Sequence, residues 1–487
     1  MKLRSLATLA LLLAALPARA QNSYRWITDD RSSTAEKNLR VLCDEIGARM
    51  TGTPNLRRAV EWGVNAFRQA GVTQVHTESF TVPNSWVEEA AHGEVTSPER
   101  FPIRLTGAAW GTGTPASGLE AEVIAGGRGD EGQITRLGSA VRGKIVAISS
   151  EAVTNFNDMA VEYRRALVAT REAERAGAAA VLLTSTQPRG VLYRHIVTLD
   201  GRVAGLPAAI VTREDALRML RLLESGQHLR MRLTLRNKVG GPVEAQNVVA
   251  EVRGREKPEE VVLYGAHLDS WDLGTGCLDN GVNAALAVEV ARFFQTAERH
   301  PRRTVRFVLF SGEEQGLLGS QAYVARHRDE LDRIVAVVVH DIGDGRITGY
   351  SLGGRRDIED AVRESLRPVA YRGATSHTTD AFFGSDHFDF LLEGIPTLVA
   401  NQDTTDYVPN YHAPSDTFDK VDLEEWRADT AVAATLLYGL AERPERPGKR
   451  LTRAEIEQQM RDTRLDDQLK FLGVWDQWTR GERGRAR

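Results

Sequence analysis

The spacing of apolar residues changes character twice along the chain. Between residues 33 and 71 apolar positions recur among charges at helical intervals, which predicts two amphipathic helices broken at Gly52-Thr53-Pro54-Asn55. The second carries Val60, Trp62, Val64 and Phe67 and stops before Gly71, and Gln74–Val82 then reads as a strand. From about 90 to 240 the texture is Gly-rich, with short strands expected at Lys144–Ser149, Ala179–Thr184 and Ala208–Val211 and one helical stretch at Ala160–Ala176. From about 243 to 442 come near-continuous apolar runs: Val261–Gly265, Val305–Phe310, Ile334–Val339 and Pro396–Ala400. Runs of this kind are strands buried on both faces, as in a sheet covered by helices. The pattern predicts an α/β fold with a mixed, mostly parallel sheet between helices, made from residues 21–89 and 243–442, and a β-rich domain inserted at 90–242. Residues 443–487 form a charged, partly helical extension that begins with a linker at Pro444–Lys449.

Each of the four apolar runs leads into a carboxylate, a histidine or both. They end in His267-Leu268-Asp269, in Ser311-Gly312-Glu313-Glu314, in His340-Asp341 and, after a loop, in Tyr411-His412. Open α/β sheets bind ligands beyond the carboxyl ends of their strands. Period-two alternation puts His267 and Asp269 on one face, so an imidazole can ligate while a carboxylate orients it. Asp279-Asn280-Gly281 adds a carboxylate in the turn before a helix through Ala284, Ala285, Leu286 and Val290, where it can bridge two cations. Glu313 and Glu314 are adjacent and point apart, so one can bind metal while the other faces a substrate water. Taken singly, each residue has a plainer reading. Glu-Glu after a strand is usually a solvated turn, an Asp there is often a helix cap, and His340 is either a replacement for Asp341 as ligand or a core histidine. Together, on four strand ends, they point to a metallohydrolase, and oxygen and nitrogen donors without thiolate suit catalytic zinc. His195 and His228, isolated in the middle segment, read as packing or surface residues.

Length and charge narrow the class. A chain of 487 residues needs two or more domains. With 62 basic and 66 acidic residues the formal net charge is −4, which gives no reason to expect nucleic acid or a membrane surface as partner. Lys2 and Arg4, the apolar Leu6–Leu16 and Ala18-Arg19-Ala20 read as a signal peptide over residues 1–20, so the expected protein is exported, periplasmic or secreted, with no membrane insertion after cleavage. Export permits a disulfide, but Cys43 and Cys277 are expected to be unpaired, buried small residues.

The motifs resemble the co-catalytic zinc exopeptidases, the family of bacterial secreted leucyl aminopeptidases, glutamate carboxypeptidase II and carboxypeptidase Q. The resemblance lies in Gly265-Ala266-His267-Leu268-Asp269-Ser270, Leu278-Asp279-Asn280-Gly281, Phe310–Ser320, Asp341, Ser385-Asp386-His387, Tyr411-His412 and Asp416-Thr417. Ile46-Gly47-Ala48-Arg49 and Thr51-Gly52-Thr53-Pro54 also fit it. Gly143–Val146 and Ala176–Val181 resemble a protease-associated domain, and the layout is similar to that of carboxypeptidase Q and its bacterial relatives. Cys277 and His340 depart from the family pattern without removing a ligand.

The resemblance implies two zinc ions, one on His267 and Asp341, the other on Glu314 and His412, bridged by Asp279. It implies Glu313 as general base, Asp269 as partner of His267 and Tyr411 as oxyanion donor. The activity implied is peptide-bond hydrolysis at a chain end of short peptides, with aminopeptidase or dipeptidase favoured. A carboxypeptidase of the glutamate type, a one-zinc glutaminyl cyclase and a non-catalytic binding protein are the alternatives, and a homodimer is allowed. Arg346 and Arg372 are weak candidates for gripping a substrate carboxylate.

Overall fold

The computed structural model describes residues 33–486, so the expected signal peptide lies outside the described residues. Helix α1 (Ala35–Arg40) continues through a wider turn, Val41–Ile46, and α2 spans Pro54–Gln69. The break between them, residues 47–53, starts earlier than its composition predicts and ends at Thr53. Thr53 caps α2 by accepting the Leu56 N–H at 3.4 Å, and Pro54 occupies the first turn, where no donor is missed. Strand β1 (Gln74–Val82) follows as expected.

The chain then builds a second sheet. Its strands are β2 (Trp86–Ser97), β3 (Phe101–Ile103), β4 (Leu105–Gly107), β5 (Gly111–Thr112), β6 (Leu119–Ala125), β7 (Ile145–Ile148), β8 (Ala180–Thr184), β9 (Ala204–Val211) and β10 (Leu229–Val239). They lie in the order β3-β2-β10-β6-β7-β8-β9-β4, with β5 against β9, and β6 to β9 are parallel. Helix α3 (Phe156–Ala176) begins four residues before its predicted start, where the Asn155 side chain accepts the Asp158 N–H at 3.0 Å. A second long helix, α4 (Arg213–Glu224), stands where none was expected, with Ala216, Met219 and Leu220 buried at helical spacing.

On returning, the chain completes the first sheet with β11 (Val243–Val252), β12 (Lys257–His267), β13 (Arg303–Phe310), β14 (Ile334–Val339), β15 (Ile347–Ser351) and β16 (Thr397–Gln402). Helices α5 (Val282–Thr296) and α6 (Leu423–Glu442) cover it. The order is β1-β11-β13-β12-β14-β16-β15. Only the central strands β13, β12, β14 and β16 are mutually parallel; β1, β11 and β15 are antiparallel flanks, so "mostly parallel" holds for the centre alone. Both faces are buried with period two. Val262, Tyr264, Phe307 and Val338 pack under α2, α5 and α6, while Leu263, Val308, Val337 and Val339 pack on the opposite side with Tyr323 and Phe390. The four parallel strands therefore bring their carboxyl ends to one rim.

The charged C-terminal segment folds as α7 (Arg453–Thr463), α8 (Leu465–Leu472) and α9 (Val474–Arg480). Its Ile456, Met460, Leu469 and Trp478 bury against Phe388, Leu391 and Leu392. Cys43 and Cys277 form a disulfide with Cα atoms 5.5 Å apart, which overturns the expectation of free thiols. The physical reason is tertiary: the turn after α1 packs beneath the turn that leads into α5, across 234 residues of chain.

Candidate metal centre

The rim gathers the five predicted ligands into two halves joined by one carboxylate. His267, the last residue of β12, places Nε2 at 2.9 Å from Asp341 Oδ1 and 3.0 Å from Asp279 Oδ1. His412 places Nε2 at 3.2 Å from Glu314 Oε2 and 3.3 Å from Asp279 Oδ2. Asp279 thus offers one oxygen to each half. Within each of the groups His267–Asp279–Asp341 and Asp279–Glu314–His412 the ligand atoms lie within 4.8 Å of one another. His340, by contrast, is buried in the core with Nε2 3.1 Å from the Tyr350 hydroxyl, and burial drops its value to about 3, so it belongs to the packing and Asp341 to the rim.

The histidine tautomers fit metal ions. Nδ1 of His267 donates to the Asp269 main-chain carbonyl at 3.0 Å, and Nδ1 of His412 donates to the Arg194 carbonyl at 2.9 Å. With Nδ1 engaged, each Nε2 faces two carboxylate oxygens, an arrangement that a cation between them would satisfy. The charge balance argues the same way. Asp269, Asp279, Glu314 and Asp386 are buried, and Glu314 Oε1 and both Asp386 oxygens meet no hydrogen-bond geometry with a partner among the described residues. Burial, then Asp341, raises Glu313 well above an ordinary carboxyl, and burial raises Glu314 to about 7, with Asp279 adding to it. Burial lowers the two imidazoles, but Asp341 and Asp279 more than offset this at His267, and Glu314 and Asp279 carry His412 up to about 9. So many carboxylates out of water need compensating cations, and the donor set suits two metal ions.

The surrounding loops hold this set, partly through residues whose role was not legible in advance. The Asp269 carboxylate is 3.7 Å from His267 Nδ1, so it is the main chain of Asp269, and not its side chain, that fixes the ring. Its oxygens instead accept the N–H groups of Glu313 (3.3 Å) and Glu314 (3.4 Å) and the Thr51 hydroxyl (3.2 Å), which pins the Glu-Glu turn. The expected alternation fails because the strand ends at His267. Asp416 accepts the N–H groups of Leu278 at 2.6 Å and Asp279 at 3.2 Å, which sets the bridging loop. The buried Arg49 guanidinium donates to the carbonyls of Leu268, Thr275 and Gly276, each at 2.7 Å, and stitches the β12 end to the same loop. Gly312 turns the chain at φ +77°, a left-handed backbone suited to glycine, and His412 adopts φ +55°, a conformation found mainly where surrounding structure enforces it.

A cavity of about 570 Å³ opens on Glu313 and Glu314. Its walls come from α3, from the rim of the first sheet and from α8. Glu313 is half-buried on that wall. Tyr411 lines the cavity too, its ring stacked 3.5 Å from the His412 ring, and burial raises its value well above the usual phenol range, so it stays a donor. The second-sheet segment contributes more than shape. Arg194, whose carbonyl holds His412, is itself held by Asp272 at 2.8 and 3.0 Å. His195 is buried and stacked 3.7 Å from Tyr163, and His228 is exposed. Arg372 pairs with Glu425 at 2.6 Å, Arg346 is exposed, and neither lines the cavity.

Comparison with known proteins follows the same lines. Residues 247–437 match the sequence profile of Peptidase family M28. Carboxypeptidase Q of Bos taurus is 30% identical over 414 residues, covering 84% of this chain and 85% of that protein. A crystal structure of a Peptidase M28 precursor from Shewanella amazonensis superposes with a TM-score of 0.81 at 26% identity, covering 90% of this chain and 99% of that one. The zinc aminopeptidase BSAP from Bacillus subtilis shares the fold, with a TM-score of 0.65 at 21% identity over 86% of this chain and 97% of its own. With candidate ligands gathered at the strand ends and a near full-length relative at this identity, the chain belongs to peptidase family M28 and is a metallopeptidase.

Proposed function

We propose that this enzyme is an exported di-zinc exopeptidase that hydrolyses short peptides bearing a free amino terminus, as an aminopeptidase or dipeptidase. The observation that carries the reading is Asp279, whose two oxygens face the two histidine-carboxylate halves beside a cavity lined by Glu313. In this reading His267 and Asp341 hold one zinc, Glu314 and His412 the other, and Asp279 both. Bound there, the pair supplies an acidified water and a polarised scissile carbonyl. Glu313 accepts the proton of the attacking water and returns it to the departing amine, so water and peptide become an acid and an amine. Tyr411 donates its phenol hydrogen toward the developing oxyanion. The carboxylate-rich wall of Glu313, Glu314 and Asp380 favours a substrate ammonium over an acyl cap. Carboxypeptidase Q and a zinc aminopeptidase among the similar proteins support the class. We read the second sheet as an inserted protease-associated domain. No helix among the described residues is long and apolar enough to cross a membrane.

Two measurements test this. Glu313→Gln keeps metal content and thermal stability while hydrolysis falls on the order of 10²–10⁴-fold; near-full activity with metal bound rejects Glu313 as base. A dipeptide is cleaved faster than its N-acetyl form at equal zinc loading, and the reverse order points to the glutamate-carboxypeptidase branch.

A further inference from the structure

We infer that Arg164, on helix α3 of the second sheet, anchors the free α-carboxylate at the far end of a short peptide, so that the enzyme reads both termini of a dipeptide. This rests on the exopeptidase reading above and names the substrate class of the same cavity. Among the described residues Arg164 is the one basic side chain lining that cavity, whose acidic groups are Glu313, Glu314 and Asp380.

Three successive residues of α3 have three different fates, because consecutive positions on a helix diverge by about 100°. Tyr163 stacks on His195 and lies within the field of Glu314 and Glu313. Arg165 turns back into its own domain and pairs with Asp130 and Glu162, each at 2.7 Å. Arg164 takes neither course. It is half-buried, has no carboxylate partner among the described residues, and its guanidinium carbon lies 5.8 Å above the ring of Phe471 in α8. Glu162, two residues away, is occupied by Arg128 and Arg165.

A guanidinium beside an aromatic ring in a largely apolar cavity, with no carboxylate partner among the described residues, is available to a planar, bidentate acceptor, and a peptide carboxylate is one. Phe156, Met159, Phe382, Phe383 and Leu472 supply the apolar lining. The size also fits. A sphere of the cavity's volume is about 10 Å across, while two extended residues span about 7 Å, so a dipeptide fits. The acidic metal-side wall and the single cation thus match the opposite charges of a zwitterionic dipeptide. Phe471 and Leu472 also give the C-terminal helices a place in substrate recognition.

The test uses the full zinc-loaded chain and three probes: a dipeptide, its C-terminal amide and its N-acetyl form. The wild type is expected to prefer the free acid to the amide, and Arg164→Met to bring that ratio toward one, lowering kcat/KM for the acid on the order of 10–100-fold, mainly through KM, as expected for a hydrogen bond between charged groups. Arg164→Lys should restore part of the ratio. Equal use of acid and amide by the wild type overturns the anchor, as does an unchanged acid-to-amide ratio in Arg164→Met with normal metal content and thermal stability. The N-acetyl probe is read separately: faster cleavage of it by the wild type rejects the free-amine reading, whereas the acid-to-amide ratio judges Arg164.

Discussion

The two sheets of this chain share a central run of four parallel strands, yet among the described residues only the first presents a candidate metal centre. In the first sheet β13, β12, β14 and β16 end in carboxylates and imidazoles that face one another. In the second, β6 to β9 end in a rim that is also charged, but its carboxylates are held by arginines or by main-chain N–H groups, the latter at Glu214. Arg128 pairs with Glu151 at 2.8 Å, Arg165 with Asp130 at 2.7 Å, and Arg104 with Asp215 at 3.0 Å. The difference teaches that parallel topology brings strand ends together but does not by itself make a site. What distinguishes the first rim is buried negative charge that, among the described residues, no lysine or arginine pairs. Arg49, which feels the charges of Asp269, Asp279 and Glu314, is spent on main-chain carbonyls.

The sharpest way to break the contrast is to remove the carboxylate common to both halves. Asp279→Ala takes a donor oxygen from each histidine, and the expected result is loss of metal from both halves, with activity reduced further than the roughly 10²–10⁴-fold expected for loss of the base. Metal analysis that finds two tightly held ions in this variant would contradict the bridging role. Next in size is Asp269→Ala. Its carboxylate orients the Glu313-Glu314 turn by accepting two N–H groups, so activity or metal affinity should fall by about 10–100-fold, the usual range for a supporting residue at a metal site. Because His267 is held by the main chain of Asp269, its half of the site should keep its ion. Preferential loss of the ion at His267 would show that the side chain orients that ring after all.

These contrasts were unevenly visible in the sequence. The four parallel strands were legible because burial on both faces leaves an unbroken apolar run, and their ends followed from that. The ligand residues were legible as motifs at those ends. What could not be read was whatever depends on distant segments meeting. Asp416 holding the Asp279 loop, Arg49 joining β12 to it and the Arg194 carbonyl fixing His412 leave no local periodicity. The middle segment looked unrelated to the chemistry because its residues include no predicted ligand, yet it supplies a cavity wall and a hydrogen-bond acceptor to one. Helix α4 was lost for another reason: its apolar face is short and flanked by Arg213, Arg218 and Arg221.

A smaller effect is expected from the disulfide that ties the turn after α1 to the turn carrying Asp279. The double variant Cys43→Ala/Cys277→Ala keeps apolar side chains in a site where both cysteines are buried, so the change is mainly loss of the cross-link. A native disulfide typically contributes about 2–5 kcal/mol, which should appear as a lower melting temperature. Cys277 lies two residues before Asp279, so zinc affinity should weaken as well while the refolded, zinc-saturated enzyme stays active. A melting temperature equal to the wild type's would mean that packing alone holds the two turns together.

The smallest effect belongs to the rim of the second sheet. Glu151 is 63% exposed and its partner Arg128 38%, so water screens the pair, and such pairs contribute about 0.2–1 kcal/mol. Arg128 also reaches the buried Glu162 at 3.1 Å, so losing Glu151 does not leave its guanidinium without a partner. Glu151→Gln should therefore shift the melting temperature slightly and leave kcat/KM for a dipeptide within about twofold. Thermal melts and initial rates, run beside Asp279→Ala under the same zinc loading, measure the contrast between the two rims directly. A tenfold fall in activity from Glu151→Gln would mean that the second rim acts on the reaction as well, and that a paired charge at a strand end is not a reliable sign of a purely structural role.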